Sequence, residues 1–359
     1  MSGATDVKKE GFNLLGMLKR IPLTTLLIGG LLVLVMIVGG FLGFSISTEI
    51  SNILQRFSYW GILALAMVPS IQSGTGPNFA LPIGICAGLL ALIFSMEMQL
   101  MGAGFMVASI LMAIPIACIF GYIYGILMNA VKGSEMAIAT YTGFAVTYLF
   151  CMIWLLYPVT NPNIGFFLGE GLRILISLET FGAGKILETL WEINLFGVII
   201  PTGTLLVFFV FCFLMYLFFR SKTGIAISAV GMNPTFAKAT GVNVDRSRII
   251  ANMISTSLGA VGIIVYAQGF GFVQLYDAPL MMAFPAVAAI LVGGASAMRS
   301  KVRNVIVGCF LFQGLLTTAP PVIGRLLQNV DADITNPIRL IVQYGVILYA
   351  LTKMSGGGK

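Results

Sequence analysis

The chain has 359 residues, of which 58% are apolar and 9% charged, against roughly a quarter charged in an ordinary soluble domain. That composition excludes a soluble enzyme or binding domain and defines an integral membrane protein. The 20 Lys and Arg exceed the 13 Asp and Glu by a net charge of +7, and histidine is absent, which removes the usual ligands and bases of zinc sites and His-dependent catalysis.

In chain order, Lys8, Lys9, Lys19 and Arg20 mark residues 1–21 as a cytoplasmic N-terminal segment. The apolar run from Leu23 to Phe44 exceeds the h-region of a signal peptide and has no A-x-A-like cleavage site, so it reads as an uncleaved first span. A bilayer core needs about 20 mostly apolar residues per helix. Ten windows meet that demand, near 22–45, 57–73, 79–96, 104–131, 136–157, 197–219, 248–270, 280–298, 304–324 and 337–353. The fold expected is an all-α polytopic membrane protein with one transmembrane domain over 22–353, a tail at 354–359, and both termini in the cytoplasm.

Charge supports that count. With the N-terminus inside, fifteen of the 20 basic residues fall in cytoplasmic loops and nine of the 13 acidic residues fall outside, the asymmetry that orients membrane proteins. The basic excess therefore belongs to inner loops and not to a nucleic-acid surface.

Two joins are not simple. "SGTGPNFALPIG" at 73–84 carries Gly74, Gly76, Pro77, Pro82 and Gly84; it reads either as a cytoplasmic turn or as a broken element lining a pathway. The outer loop 158–196 contains "ISLETFGAGKILETLWEINLF", whose apolar and acidic positions recur at helical spacing. The pattern predicts an amphipathic helix, packed as an ordinary external helix or offered to an external partner.

The longest inner loop, 220–247, contains "GMNPTFAKATG". Asn233 suits an N-cap, Pro234 the first helical position and Gly241 the left-handed C-terminal position, which predicts a two-turn helix over 234–240. So short a helix is marginal alone in water and needs a tertiary contact through Phe236 and Ala237, against its own bundle or another protein. In the next span Asn252, Ser255, Thr256 and Ser257, with Asn78 and Phe79 of the broken element, either line a path or bond helix to helix. The cysteines Cys86, Cys118, Cys151, Cys212 and Cys309 lie in apolar runs without C-x-x-C spacing and read as core residues.

"RSKTGIAISAVGMNPTFAKATGVNVDRSRIIANMISTSLGAVGIIVYAQ" resembles the inner loop and following helix of permease subunits of ABC importers of the ribose, galactose and xylose type. Thr223, Gly224, Ala229, Gly231, Asn233, Ala237, Gly241, Val242 and Val244 occupy the family positions. "AVAAILVGGASA", with Gly293 and Gly294, and "ILQRFSYWGILALAMVPSIQSG" extend the similarity from about residue 50 to the C-terminus. Nucleoside and branched-chain amino acid permeases share this superfamily. Two departures bear on cargo: Asn78, Phe79, Ala80 and Pro82 replace the Asp, Leu, Ser and Gly of the sugar permeases, and "MRSKVRN" replaces a glycine-rich continuation.

The resemblance implies a lipid-embedded subunit of a bacterial or archaeal cytoplasmic membrane, paired with a second permease subunit, identical or related. It further implies an external binding protein that delivers a small polar solute, most simply a monosaccharide, alternatively a nucleoside. Cytoplasmic ATPases would carry the ATP and Mg, with no cofactor on this chain. Asn233, Pro234, Thr235, Phe236, Ala237, Lys238, Thr240 and Gly241 would form the coupling helix that the ATPase grips. Two features of the residues agree: no G-x-x-x-x-G-K-[ST] loop is present, and the spans almost lack ionisable groups, which proton- and ion-coupled carriers commonly keep at membrane depth. A passive or ion-coupled carrier is the alternative of another class, followed by an assembly subunit; an enzyme comes last.

Overall fold

The computed structural model describes residues 22–166 and 171–326, together with Pro337, Leu340, Ile341, Tyr344, Gly345, Leu348 and Thr352. Its elements are α1 (Leu23–Phe41), α2 (Ile46–Leu65), α3 (Met67–Gln72), α4 (Leu81–Glu97), α5 (Gly102–Ala130), α6 (Glu135–Leu156), β1 (Leu175–Ser177), α7 (Ile186–Thr189), β2 (Ile193–Leu195), β3 (Val198–Ile200), α8 (Thr202–Arg220), α9 (Lys222–Met232), α10 (Pro234–Ala239), α11 (Val244–Phe270), β4 (Phe272–Gln274), α12 (Ala278–Val292) and α13 (Val302–Leu326). Among the described residues six helices are long and apolar enough to cross a membrane, and α4 and α12 are shorter apolar helices. With the α2–α3 pair they account for every predicted window except 337–353, most of which lies outside the described residues, as do 1–21 and 354–359.

The second window starts earlier than its hydropathy implies. Helix α2 begins at Ile46, and its first turns carry Thr48, Ser51, Asn52 and Gln55 at i, i+3, i+4 and i+7, a polar stripe that lowers mean hydropathy without breaking the helix. The twelfth helix ends at Val292, six residues before the predicted end at 298, because Gly294 takes a left-handed φ of +86°.

Helix α11 is the axis of the bundle. Most of its residues from Ala251 onward are buried, because two neighbours meet it through pairs of glycines four residues apart. On α4, a side chain at Gly84 or Gly88 would collide with the Thr256 and Ala260 carbonyls. On α5, a Cβ at Gly121 would lie 2.8 Å from Met253 Cα, and one at Gly125 2.9 Å from Ile249 Cα. Small residues permit this backbone approach, where van der Waals contact replaces the hydrophobic drive that lipid does not supply.

Contacts among the joins sort into two faces. On one, Lys132 meets Asp245, Glu135 meets Arg248, Gln72 donates to the Ser300 carbonyl and Gly294 abuts Pro22. On the other, β1 pairs antiparallel with β4, Thr160 meets Glu97, Lys185 N donates to Gln268 O and Ile199 N donates to Ser51 Oγ. This is the partition that the predicted order of spans requires.

The outer loop corrects one expectation. In place of a long amphipathic helix, the segment holds β1, a single 3-10 turn at Glu179–Phe181, the four-residue α7 and the β2–β3 hairpin. Gly182 (φ +60°) and Lys185 (φ +57°) are both left-handed, so "GAGK" breaks the apparent period. Leu175 to Ser177 are instead drawn into register with Gln274 to Phe272.

Candidate functional site

Local chemistry builds α10. Asn233 Oδ1 accepts from the Phe236 backbone N–H at 3.0 Å, Pro234 fills the first position, and Gly241 turns left-handed at φ +87°. Val242 N donates to Ala237 O at 3.0 Å and closes the end, a capping pattern that satisfies carbonyls the short helix leaves open. The residues expected to share one contacting face divide. Ala237 is fully buried against the protein, whereas Phe236 is 64% exposed. Asn233, Pro234, Thr235, Lys238, Thr240 and Gly241 are exposed as well. Self-packing and an outward surface therefore coexist on one helix, one through Ala237 and the other around Phe236 and Lys238.

Helix α9 was not visible in the sequence, where 220–233 reads as loop. Ser221 caps it by accepting from Gly224 N at 3.2 Å. At its far end Gly231 rests on the break after α3: a Cβ there would collide with Gln72 O, and one on Gly74 would lie 3.1 Å from Gly231 Cα. Only glycine permits this crossing.

The break at 73–80 is a buried, non-helical link and not an exposed turn. Hydroxyls replace the helical bonds it forgoes. Thr75 Oγ1 and Ser73 Oγ donate to Ser70 O at 2.9 and 2.8 Å, and Ser70 Oγ donates to Gly76 O at 2.8 Å, as required of irregular backbone inside a bundle. Asn78 Nδ2 donates to Ser255 Oγ at 2.8 Å, and Ser255 Oγ donates to the Ala66 carbonyl at 2.6 Å, where α2 gives way to α3. Phe79 packs on Phe284, their rings 5.6 Å apart.

The six polar-path candidates thus separate. Asn78 and Ser255 form one cluster. Asn252 lies one turn from Ser255, fully buried, and neither its side-chain oxygen nor its nitrogen has a protein partner; Asn78 Oδ1 also lacks one. Phe79 belongs to the aromatic packing. Thr256 bonds back to Asn252 O at 2.7 Å and faces Gly121, while Ser257 faces Cys118 at 3.4 Å. These last two serve helix packing.

Charged groups at the inner ends of α6 and α11 complete the site. Arg248 Nη1 pairs with Glu135 Oε1 at 3.2 Å with both side chains largely buried, and the exposed Lys132–Asp245 pair at 2.7 Å adds little. Arg248, Asn252 and Ser255 stand at i, i+4 and i+7, one polar stripe on α11 that starts just after α10 and reaches the broken link. The signal available in the sequence was a pair of opposite charges at span ends, Glu135 just before one predicted window and Arg248 at the start of another. Among the described residues no group of three or more His, Cys, Asp or Glu side chains could hold a metal ion.

These features, a helical bundle with a buried break and an exposed capped helix leading into its central span, are those of a polytopic membrane protein. The chain belongs to the branched-chain amino acid transport system / permease component family, whose match covers residues 49–351. The family and the apolar helices together make it a multi-pass membrane protein. It is 24% identical over 219 residues to the nucleoside ABC transporter permease protein NupB of Lactococcus lactis, covering 58% of this chain and 57% of that one. It is 22% identical over 302 residues to the galactofuranose transporter permease protein YtfT of Escherichia coli, covering 83% and 78%. It is 30% identical over 141 residues to the guanosine ABC transporter permease protein NupQ of Bacillus subtilis, covering 39% and 42%. The matched region thus spans little more than half of NupB and less than half of NupQ. No solved structure gives a significant match.

Proposed function

We propose that the chain is the membrane-spanning subunit of an ATP-driven importer, and that α10 is the helix through which a cytoplasmic ATPase moves it. The observation that carries this reading is the split of α10 into a buried anchor, Ala237, and an exposed face around Phe236 and Lys238. Motion of α10 has two routes inward: through α9, whose Gly231 rests on the break, and through α11, whose Ser255 holds Asn78. Both routes end on the same link. Asn78, Asn252 and Ser255 are the groups a passing solute would meet, and the many apolar side chains around them bind it weakly enough to let it leave. A second permease subunit and an external binding protein complete the assembly.

The solute is a small polar one. A monosaccharide fits the galactofuranose permease, the relative with the widest coverage; a nucleoside is the second reading, favoured by two other relatives named as nucleoside and guanosine permeases. The test is uptake into proteoliposomes holding this chain with the ATPase that co-purifies with it. Phe236→Asp and Lys238→Glu should abolish ATP-dependent uptake of galactose, ribose or guanosine in correctly inserted protein. Uptake that persists without ATP refutes the importer reading in favour of a secondary carrier.

A further inference from the structure

The outer face carries a pocket of about 330 Å³, lined mostly by polar residue types, that the proposed path does not use. One wall is the stripe Thr48, Ser51, Asn52 and Gln55 on α2; the opposite wall is Lys185 and Glu188 at α7. Its size is that of a small-molecule site. The walls are built and not merely adjacent. Gln55 Nε2 donates to Glu188 Oε2 at 2.6 Å, Ile199 N donates to Ser51 Oγ at 2.9 Å, and Lys185 N is fixed on Gln268 O at 2.9 Å. Glu188 is only 8% exposed, and its second carboxylate oxygen, Oε1, is buried with no hydrogen-bond partner. That oxygen is packed against Gly269, which leaves Oε2, the oxygen that holds Gln55, as the one a ligand would meet.

The chemistry of the lining selects among ligands. Hydroxyls and amides supply both donors and acceptors, Lys185 supplies a cation and Glu188 an acceptor-only carboxylate. A neutral solute with several hydroxyls, each able to donate and accept, matches such an alternating set. A divalent cation matches less well: Glu188 and Glu192 both line the pocket, but Lys185 sets an ammonium among them. We infer that this pocket is an outer binding site for a polyhydroxylated small solute, a monosaccharide or the ribose of a nucleoside, separate from the path at Asn78 and Asn252. The inference rests on the importer reading for its biological use, since a solute released outside would first meet this face. The binding itself does not depend on that reading.

The test is binding to the full chain in lipid nanodiscs, with neither ATPase nor binding protein, read by saturation-transfer difference NMR. The probes are D-galactose, D-ribose and guanosine, with Ca²⁺ titrated in parallel. At least one organic probe should bind; Asn52→Ala should weaken it about fivefold, roughly the value of one neutral hydrogen bond, and Glu188→Gln tenfold or more, roughly that of one to a charged group. Asn52 is exposed, so Asn52→Ala should keep the melting temperature and serves as the variant with an intact fold. Binding that survives both substitutions, or Ca²⁺ binding without any organic probe, overturns the pocket. So does absence of probe binding when the assembled transporter still takes that probe up. Probe binding lost in both variants, with no ATP-driven uptake by the assembled chain, supports the pocket and refutes the importer reading instead.

Discussion

Phe236→Ala tests the outward face of α10 most directly. The ring is 64% exposed, so roughly 130 Å² of a side chain that buries about 200 Å² is free to be covered by a partner. At about 25 cal/mol per Å² that area is worth about 3 kcal/mol, of which alanine keeps a methyl's share, leaving about 2 kcal/mol to lose. Docking of the ATPase should weaken roughly thirtyfold, while the melting temperature stays unchanged because no packed contact is removed. Ala237→Leu should do the reverse: the side chain is fully buried, so overpacking should cost about 1–3 kcal/mol of stability. The assay is titration of the purified ATPase onto permease in nanodiscs, with thermal unfolding in parallel. An unchanged ATPase affinity for Phe236→Ala at unchanged stability refutes the assignment of this face.

Asn233→Ala removes the cap of α10 and should cost about 1 kcal/mol locally, seen as about fivefold faster hydrogen exchange at the Phe236 amide. Gly121→Leu should lower the melting temperature by driving α5 off Met253, whereas Gly104→Leu on the same helix, with nothing within 4 Å, should not. Either half of the Arg248–Glu135 pair removed alone should destabilise by about 3–5 kcal/mol, and Arg248→Met with Glu135→Leu together by much less, because the single variants strand a buried charge; thermal unfolding of all three decides. Burial pushes the Glu188 carboxyl above its usual range, opposed by the Gln55 hydrogen bond and the Lys185 charge and reinforced by the Glu192 charge. The native state then binds more protons than the unfolded one, so stability falls as pH rises from the ordinary Glu range through the raised value. Glu188→Gln should flatten that fall, leaving it more stable than the parent at neutral pH and level with it near pH 4; a parallel pair of pH–stability curves would contradict this.

What the sequence revealed follows from how local each cause is. The spans were legible because a bilayer demands continuous apolar runs, and α10 because Asn233, Pro234 and Gly241 specify a short capped helix on their own. The missed features depend on distant partners. Helix α9 depends on Gly231 meeting Gly74, β1 on a strand about a hundred residues later, and Glu135 on Arg248 across 113 positions. Ser255, Thr256 and Ser257 look equivalent in the chain, yet each step around a helix is about 100°, which sends them to the broken link, to Gly121 and to Cys118. The outer loop failed for the opposite reason: its helical spacing was genuine, but four left-handed residues within it, Gly182, Lys185, Trp191 and Phe196, cut the period.

The distribution of close packing along α11 also determines where motion can be absorbed. Against α4 and α5 the helix touches through backbone, with Gly84, Gly88, Gly121 and Gly125 leaving no room for sliding; interfaces packed to that degree move as units. Its contact with the link at 73–80 is different, carried by the Asn78–Ser255 hydrogen bond and backed by hydroxyls of Ser70, Ser73 and Thr75. Rotating a hydroxyl trades one such bond for another at small cost, whereas opening a glycine-packed interface forfeits dispersion over its whole length. A displacement entering at α10 would therefore carry α4, α5 and α11 together and be relieved at the link, which holds the polar groups of the proposed path. Toward α11 the break would be the compliant contact, because its backbone is satisfied by side chains that can exchange partners, while its glycine-packed crossing with Gly231 ties it to α9.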